Sequence, residues 1–331
     1  MEARRLGRTG QQVSVLGFGC GAVGGLMVRG RRDDQERAVA RAVELGINYF
    51  DTAPSYGNGE SESNLGRVLA ALKRGVVVGT KVRIGPSERA NVAPAITRSL
   101  EASLKRLRRD SVDLLQLHNA IGPDEYGETL DASMVLDEVA PVFEQLRQQG
   151  KIRFFGITAI GATPALRRVV DAHRMDTAQV AYNVLNPSAG NTVPEGYPGQ
   201  DYGDLLGHTR SADMGVINIR VLAGGALTGT EVRHPLGMPS VEPIGSGSNY
   251  AADVRRAHRL HTLVQEGYAN SLVELALRFA ISHPAIGTVL VGYSTLEHLE
   301  LAAAAINKGP LAPAALQHLT ALQNSFSGEA R

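Results

Sequence analysis

Short apolar runs alternate with longer amphipathic runs along the whole chain. Most of the short runs are continuous Val, Ile and Leu stretches without polar alternation, which is typical of strands in a parallel sheet covered on both faces. In chain order they are "VSVLGFG" (13–19), "NYFDTA" (48–53), "GVVVGTK" (75–81), "VDLLQLH" (112–118), "IRFFGIT" (152–158), "TAQVAYN" (177–183), "GVINIRV" (215–221) and "GTVLVG" (287–292). The pattern therefore predicts eight buried strands, each followed by a helix.

The stretches between these runs carry apolar residues at helical spacing, as Ile96, Leu100 and Leu104 do. After the first strand we expect a helix that begins at Asp33 or Asp34, because Asp is a favoured N-cap residue, and that ends at Gly46. The start "EARRLGRTGQQVS" predicts a hairpin before the first strand. A last helix is expected near 312–324.

Eight β/α units in 331 residues predict a single domain over 1–331 with a closed (β/α)₈ barrel, a TIM barrel. A doubly wound open sheet is the competing architecture, since a strand count cannot show closure. The segments 119–134, 185–200 and 222–249 are longer than ordinary loops and follow strands, so we expect them at the C-terminal mouth. Candidate pocket residues in or near two of these segments are Tyr126, Tyr197 and Tyr202.

Composition narrows the functional classes. The chain is 43% hydrophobic and 20% charged, with a net charge of +1, so no basic field indicates a nucleic acid or an anionic membrane as partner. No window has the roughly 20 apolar residues of a membrane span, and the N-terminus has no secretory pattern. The one cysteine, Cys20, excludes an internal disulfide. We expect a cytoplasmic protein with a small-molecule partner; the oligomeric state stays open.

Four polar groups stand at or just beyond the ends of three consecutive predicted strands. Asp51 ends the second strand and Tyr56 lies in the loop beyond it, while Lys81 ends the third strand and His118 the fourth. Strand ends of a barrel converge on one mouth, so we expect these four side chains to lie together.

The set suits proton transfer to or from a carbonyl or alcohol oxygen. A free tyrosine has a pKa of about 10, and a nearby lysine cation favours the tyrosinate. A carboxylate keeps that lysine charged and oriented, and a neutral imidazole orients the substrate oxygen. No Ser or Cys nucleophile accompanies these groups, and they move no electrons by themselves. A hydride carrier is therefore implied as the cofactor.

The stretches "FDTAPSYG", "GTK" and "LLQLH", in this order, resemble the signature of the aldo-keto reductase family, and the similarity runs through most of the chain. The resemblance implies a (β/α)₈ barrel that binds a nicotinamide cofactor across its mouth. It implies Tyr56 as general acid/base, Lys81 and Asp51 as its tuning pair, and His118 as the residue that orients the substrate.

The resemblance also implies cofactor residues. Gln179 matches the residue that contacts the carboxamide, and Thr158 stands in "GITA", which is similar to the aldose and galactose dehydrogenase branch. The stretch "RVLAGGALTG" resembles the loop that spans the pyrophosphate, although Ile219 and Arg220 stand where an aromatic residue often stacks on the nicotinamide. The cofactor candidates of these later segments are Thr158, Gln179, Arg220, Leu222, Gly224, Gly292, Ser294 and His298.

The stretch "VLVGYSTLEHLELA" (289–302) matches the adenosine end of the site. It contains no Lys or Arg for a 2′-phosphate, and it carries Glu297 and Glu300. We therefore favour NAD over NADP; an arginine from a distant loop is the alternative. The direction, carbonyl reduction or oxidation of a sugar-like alcohol or lactol, stays open, with a preference for NAD-linked oxidation.

The stretch "GCGAVG" contains a G-x-G-x-x-G motif at Gly19, Gly21 and Gly24. A Rossmann site needs its third glycine at the start of a helix, but the helical pattern begins only near Asp33. We interpret the stretch as the first loop of the barrel, with Gly19, Cys20, Gly21 and Asp51 beside the nicotinamide, and Cys20 as a small buried residue.

A histidine pair and a Gly/Ser-rich segment lie outside this set of residues. His258 and His261 lie three apart, but neighbouring arginines would repel a cation, so we expect a solvated helix face and no metal site. The Gly/Ser-rich segment 244–250 predicts a flexible loop or a cofactor clasp. An oxidoreductase is the favoured function; a cofactor-binding regulatory subunit on the same barrel and a Rossmann-type dehydrogenase are the alternatives.

Overall fold

Eight parallel strands close into a barrel in the computed structural model, which describes residues 1–123 and 129–329. All strands, in chain order, are β1 (Ala3–Arg5), β2 (Gln12–Ser14), β3 (Leu16–Gly19), β4 (Tyr49–Asp51), β5 (Val77–Val82), β6 (Val112–Leu117), β7 (Ala120–Ile121), β8 (Thr129–Leu130), β9 (Ile152–Ala159), β10 (Thr177–Ala181), β11 (Gly215–Ile219) and β12 (Ile286–Gly292). The barrel order is β3-β4-β5-β6-β9-β10-β11-β12, and β12 pairs with β3. The closed (β/α)₈ barrel is confirmed, and the open sheet is wrong.

Helices surround the barrel. They are α1 (Leu26–Arg29), α2 (Arg32–Glu44), α3 (Glu60–Leu72), α4 (Val92–Leu107), α5 (Ala132–Met134), α6 (Ala140–Gln148), α7 (Thr163–Asp171), α8 (Leu205–Ser211), α9 (Tyr250–Arg259), α10 (His261–Gln265), α11 (Leu272–Ser282), α12 (Leu296–Asn307) and α13 (Pro313–Asn324). A π-helical turn (Val135–Val139) joins α5 to α6. Within the described residues, no helix has the length and apolar character needed to cross a bilayer.

The N-cap of helix α2 lies two residues before Asp33, the earlier of the two predicted caps. Arg31 is its N-cap and makes no side-chain capping bond, while Asp33 and Asp34 lie in the first turn. Two carboxylates there favour the helix through its dipole, so they need not act as caps. The helix ends at Glu44, and Gly46, at a φ of 85°, carries the chain toward β4.

The predicted N-terminal hairpin is present as the antiparallel pair β1–β2. It leads into an apolar cluster whose barrel residues come from alternate strand positions and therefore point inward. The members of this cluster, the barrel plug, are Leu6, Val13, Tyr49, Val77, Leu114 and Ile217. The plug fills the lower part of the barrel and leaves polar side chains to occupy the layer above it.

The long segments at the mouth are held by their own contacts. The carbonyl of Gly245 accepts from the Gln200 amide N–H (2.9 Å) and from Asn186 Nδ2 (2.5 Å). Ser246 is buried and donates to Asp253 Oδ2 at 2.6 Å. The segment 244–250, predicted as a flexible loop or a clasp, is thus fixed to the segment 185–200 by hydrogen bonds.

Candidate active site

A buried ion pair lies at the centre of the mouth. Asp51 ends β4 and Lys81 lies in β5, and both side chains are buried. Lys81 Nζ donates to Asp51 Oδ1 and to the Thr52 carbonyl, the latter at 2.9 Å. Burial alone disfavours the ammonium, but Asp51 and Tyr56 outweigh it and raise the pKa of Lys81 to about 12. Lys81 is therefore a cation at neutral pH.

Tyr56 lies beside this pair in the loop between β4 and α3. The Lys81 Nζ atom is 4.8 Å from the centroid of the phenol ring. Burial raises the pKa of Tyr56 above its ordinary value, Lys81 lowers it and Asp51 raises it. Lys81 acts in the predicted direction, but burial outweighs it, so Tyr56 is a phenol at neutral pH.

His118 follows β6 and faces Tyr56 edge-on, with ring centroids 5.9 Å apart at an interplanar angle of 84°. Burial, Lys81 and Arg83 together lower the pKa of His118 to about 3. The imidazole is therefore neutral, as predicted for a group that orients an oxygen. A cavity of about 270 Å³ opens beside it, lined by Pro54, Ser55, Asn58, Arg83, Ser99 and His118.

The second oxygen of Asp51 has two donors of its own. Gln179 Nε2, from β10, donates to Asp51 Oδ2 at 2.7 Å, and the Tyr49 hydroxyl donates to the same atom at 3.0 Å. Thr158 Oγ1 donates to Gln179 Oε1 at 3.4 Å. Sequence reasoning missed Tyr49; its one signal is that it lies two residues before Asp51 and so shares its face of the strand.

The glycine-rich first loop packs mainly against the end of β12. A Cβ at Gly24 would lie 2.5 Å from the Gly292 carbonyl carbon, and one at Gly19 would lie 2.9 Å from the Val291 carbonyl oxygen. These two glycines therefore serve backbone packing. Gly21 differs, because a Cβ there would meet only the Tyr56 ring, at 3.7 Å. Gly21 thus borders the reacting group.

Cys20, between these glycines, is a buried and unreactive thiol. It is 1% exposed, and burial raises its pKa. Its backbone N–H donates to the Asp51 carbonyl at 2.8 Å. Cys20 therefore packs the first loop against the strand that carries Asp51.

The loop after β11 turns through several left-handed residues. Arg220 has a φ of 58°, and Gly224 and Gly225 have φ values of 69° and 111°. Leu222 is the half-buried N-cap of the following 3₁₀ turn. The Arg220 guanidinium reaches the Glu242 carbonyl at 3.4 Å and pairs with no carboxylate among residues 1–123 and 129–329. Burial lowers its pKa, and Tyr56 and Tyr202 oppose the shift.

The residues predicted for the adenosine end lie at the end of β12 and the start of α12. Gly292 is exposed, whereas the Ser294 hydroxyl donates to the Gly24 carbonyl at 2.7 Å. His298 lies in the first turn of α12 and faces His234, with ring centroids 5.9 Å apart. Glu300 pairs with Arg41 of α2 at 2.9 Å, and Glu297 is exposed.

Arginines from other segments lie near the predicted adenosine end. Binding of NADP, the alternative to NAD, would need such a cation for its 2′-phosphate. A cavity of about 480 Å³ is lined by Arg29, Glu231, Arg233, His234, Pro235, Gly237 and Pro239. Arg29 is bound to the carbonyls of Ala22 and Leu236, and Arg233 to those of Gly224 and Met238. Both guanidiniums thus form hydrogen bonds to backbone carbonyls, which stabilise the segment 222–249.

The donor set fits a nicotinamide dinucleotide. Thr158 and Gln179 present hydroxyl and amide groups at the centre of the mouth, and Gly21 leaves a face open beside Tyr56. The Arg220 guanidinium and the N-terminus of the twelve-residue helix α12 offer positive charge where the pyrophosphate and adenosine would extend. Each of these groups would match the chemistry of the cofactor part expected beside it.

The remaining sequence candidates take no part in this set. Tyr126 lies outside the described residues. Tyr197 is buried and donates to the Leu185 carbonyl at 2.8 Å, and Tyr202 is 1% exposed, so neither lines an open pocket. His258 and His261 are exposed, with centroids 5.6 Å apart. The described parts of the chain hold no group of three or more potential metal ligands.

Comparison with known proteins agrees with this geometry. Residues 15–324 match the sequence model of the aldo/keto reductase family. L-galactose dehydrogenase of Arabidopsis thaliana is 31% identical over 311 residues, 93% of this chain and 89% of that protein. D-threo-aldose 1-dehydrogenase of a Pseudomonas species is 32% identical over 56% of this chain and 62% of that protein. The holo form of an aldo-keto reductase from Bacillus halodurans superposes with a TM-score of 0.72 at 25% identity, covering 97% of this chain and 96% of that chain.

Proposed function

The chain belongs to the aldo/keto reductase family, and from this premise we propose that Tyr56 is the general acid/base of its reaction. The family makes the protein an oxidoreductase that interconverts a carbonyl group and an alcohol with a nicotinamide cofactor. The observation that carries the residue assignment is the buried Asp51–Lys81 pair, whose ammonium lies 4.8 Å from the Tyr56 ring.

The four side chains divide the proton chemistry. The cofactor, when bound, supplies or accepts the hydride. Tyr56, a phenol at neutral pH, donates its proton to a carbonyl oxygen during reduction and takes it back during oxidation. Lys81 stabilises the tyrosinate that remains, and Asp51 keeps Lys81 charged and in place. The neutral His118 donates a hydrogen bond to the substrate oxygen.

The substrate class that best suits the mouth is a sugar aldehyde or lactol. Hydroxyl and amide groups of Ser55, Asn58 and Ser99 line the cavity beside His118. Several hydroxyl groups on a small ligand would find partners there. Two relatives, L-galactose dehydrogenase and D-threo-aldose 1-dehydrogenase, carry sugar substrates in their names and support this choice.

The cofactor-binding residues are proposed in three groups. Gly21, Thr158 and Gln179 border the nicotinamide, with Gly19, Cys20 and Asp51 supporting that end. Arg220, Leu222 and Gly224 follow the pyrophosphate. Gly292, Ser294 and His298 form the adenosine end. We propose a preference for NAD, because exposed Glu297 lies at the start of α12 and Glu300 already neutralises Arg41.

The Tyr56→Phe variant tests this function. Purified protein is incubated with NAD or NADP and a panel of aldoses, pyridoxal and simple alcohols, and NAD(P)H formation is followed by fluorescence. We expect turnover of at least one aldose by the wild-type protein and a loss of about a thousandfold or more in the variant, with cofactor affinity retained. Tyr268→Phe, a change far from the mouth, is the control. Cofactor binding without Tyr56-dependent turnover in either direction would instead favour the regulatory subunit.

A further inference from the structure

We infer that Tyr49 is a positioning residue, whose hydroxyl fixes the Asp51 carboxylate so that its other oxygen holds Lys81 against Tyr56. The inference rests on the proposed role of Tyr56 and extends it one step below the mouth. Tyr49 is not among the residues that line the cavity beside His118; its hydroxyl contacts Asp51, and we infer that it acts through that carboxylate.

The first argument is the place of Tyr49 in the barrel plug. Its neighbours there are all aliphatic, and the side chain is completely buried. A phenylalanine would fill the same volume without a polar atom to satisfy. Instead the chain places a hydroxyl at the top of an apolar layer, 3.0 Å below Asp51 Oδ2. Burial and Asp51 both hold the pKa of Tyr49 well above its usual value, so this hydroxyl stays a donor.

The second argument is how the donors divide between the two carboxylate oxygens. Tyr49 and Gln179 both donate to Oδ2, while Lys81 binds Oδ1. A carboxylate held on both oxygens cannot rotate about its χ2 bond without losing a charge-assisted hydrogen bond. The orientation of Lys81 toward Tyr56 therefore depends on the donors at the far oxygen.

The third argument is the glycine on the neighbouring strand. Gly79 of β5 pairs with Asp51, and a Cβ at this position would lie 2.8 Å from the Tyr49 hydroxyl oxygen and 3.3 Å from Asp51 Oδ2. Any side chain there would press on both partners of the bond. The strand thus leaves open the space that the Tyr49–Asp51 bond occupies.

The bond also has an electrostatic consequence at Tyr56. Asp51 raises the pKa of Tyr56, in opposition to Lys81. A donated hydrogen bond at Oδ2 stabilises the negative charge of Asp51 and weakens this opposition. Loss of the Tyr49 hydroxyl should therefore raise the pKa of Tyr56 further and loosen Lys81 at the same time.

The test compares Tyr49→Phe with Tyr293→Phe, which removes a buried hydroxyl that has no hydrogen-bond partner within residues 1–123 and 129–329. For Tyr49→Phe we expect kcat to fall about tenfold with KM within twofold, and the pH at which Tyr56 ionises to rise. That ionisation is isolated by ultraviolet absorbance at alkaline pH, as the difference between each protein and its Tyr56→Phe derivative. We expect Tyr293→Phe to leave both quantities unchanged. Equal values for Tyr49→Phe and the wild-type protein would overturn the inference, as would equal effects of the two variants.

A second pair of variants reaches the same bond from the other strand. Gly79→Ala should reproduce the kinetic and absorbance shifts of Tyr49→Phe, whereas Gly75→Ala, with no atom within 4 Å of its Cβ, should leave them unchanged. A folded Gly79→Ala protein with wild-type values would overturn the inference. The absorbance arm needs no substrate, so absent turnover in the wild-type protein would refute the proposed function while the role of Tyr49 remained measurable.

Discussion

At the scale of single residues, burial decides the charge state of the groups at the mouth. It raises the pKa values of Cys20 and Tyr56 and lowers that of His118, so all three are neutral near pH 7. Asp51 and Lys81 form a buried ion pair, and the guanidiniums of Arg83 and Arg220 add positive charge at the mouth. A proton can therefore move between a neutral phenol and a substrate oxygen beside a cation, Lys81, that favours the tyrosinate.

His118 makes this charge state measurable. Its pKa is about 3 in the folded protein, below the ordinary value of about 6.5. Between these values the unfolded chain binds a proton that the folded protein does not, so stability falls as the pH drops from about 6.5 toward 3, by up to about 1.4 kcal/mol per pH unit. Urea denaturation at several pH values should show that His118→Gln removes this part of the acid sensitivity.

The exposed His258 provides the control, since His258→Gln should keep the wild-type dependence. An unchanged acid dependence in His118→Gln would contradict a neutral, buried imidazole. Direct titration of the His118 ring by NMR gives the same answer independently, because a folded-state signal that shifts near pH 6.5 is incompatible with the lowered pKa.

The four catalytic candidates could be predicted from the sequence because each lies at or just beyond the end of a strand, and strand ends meet at one mouth. The hydrogen-bond partners of Asp51 could not be predicted in this way. Tyr49 reaches it along one strand, and Gln179 reaches it across the barrel interior from β10, which is not a neighbour of β4. Such contacts depend on the register and closure of all eight strands, which no local pattern encodes.

At the scale of elements, the local sequence pattern predicts the strands well. It predicts poorly which charged side chains surround a given helix. Continuous Val, Ile and Leu runs mark most of the eight barrel strands because both faces of each strand are covered. The charges around α12, by contrast, come from elsewhere: α2 brings Arg41 to Glu300, and the segment 222–249 brings His234 to His298. We therefore expect cofactor preference to depend on these tertiary neighbours as well as on the helix.

The first turn of α12 gives a test of that preference. Glu297 is exposed there and repels a 2′-phosphate at close range, so Glu297→Gln should shift the ratio of NADPH to NADH affinity toward NADPH by about threefold. The measurement is cofactor fluorescence on binding, without substrate. Glu138→Gln, at an exposed carboxylate in another segment, should leave the ratio unchanged. If Glu297→Gln also leaves it unchanged, the carboxylate does not determine the cofactor.

At the scale of the whole molecule, the barrel plug closes one end of the barrel, and the segments 185–200 and 222–249 lie at the other end, the mouth. Eight β/α units favour a closed barrel, the strand pairing of the structure shows the closure, and the β1–β2 hairpin with Leu6 completes the plug. The mouth is less predictable, because the segments 185–200 and 222–249 bind each other through Gly245, Gln200 and Asn186. These contacts join residues far apart in sequence, so no local pattern encodes them.

The plug should therefore support stability without entering the chemistry. Leu6 is completely buried, and the Cα of Gly7, next to it, packs against the start of β11, at the end of the barrel opposite the mouth. Leu6→Ala removes three carbon atoms from a closed apolar layer, which costs about 2–5 kcal/mol of unfolding free energy. Urea denaturation should show this loss, while kcat per folded molecule stays near the wild-type value.

Leu301→Ala, at a leucine that is 59% exposed, should change stability by less than about 0.5 kcal/mol. A Leu6→Ala protein with the wild-type unfolding free energy and the wild-type kcat would mean that the hairpin does not close the barrel. If kcat were lost while the unfolding free energy stayed at the wild-type value, Leu6 would instead act on the chemistry through Tyr49 and Asp51.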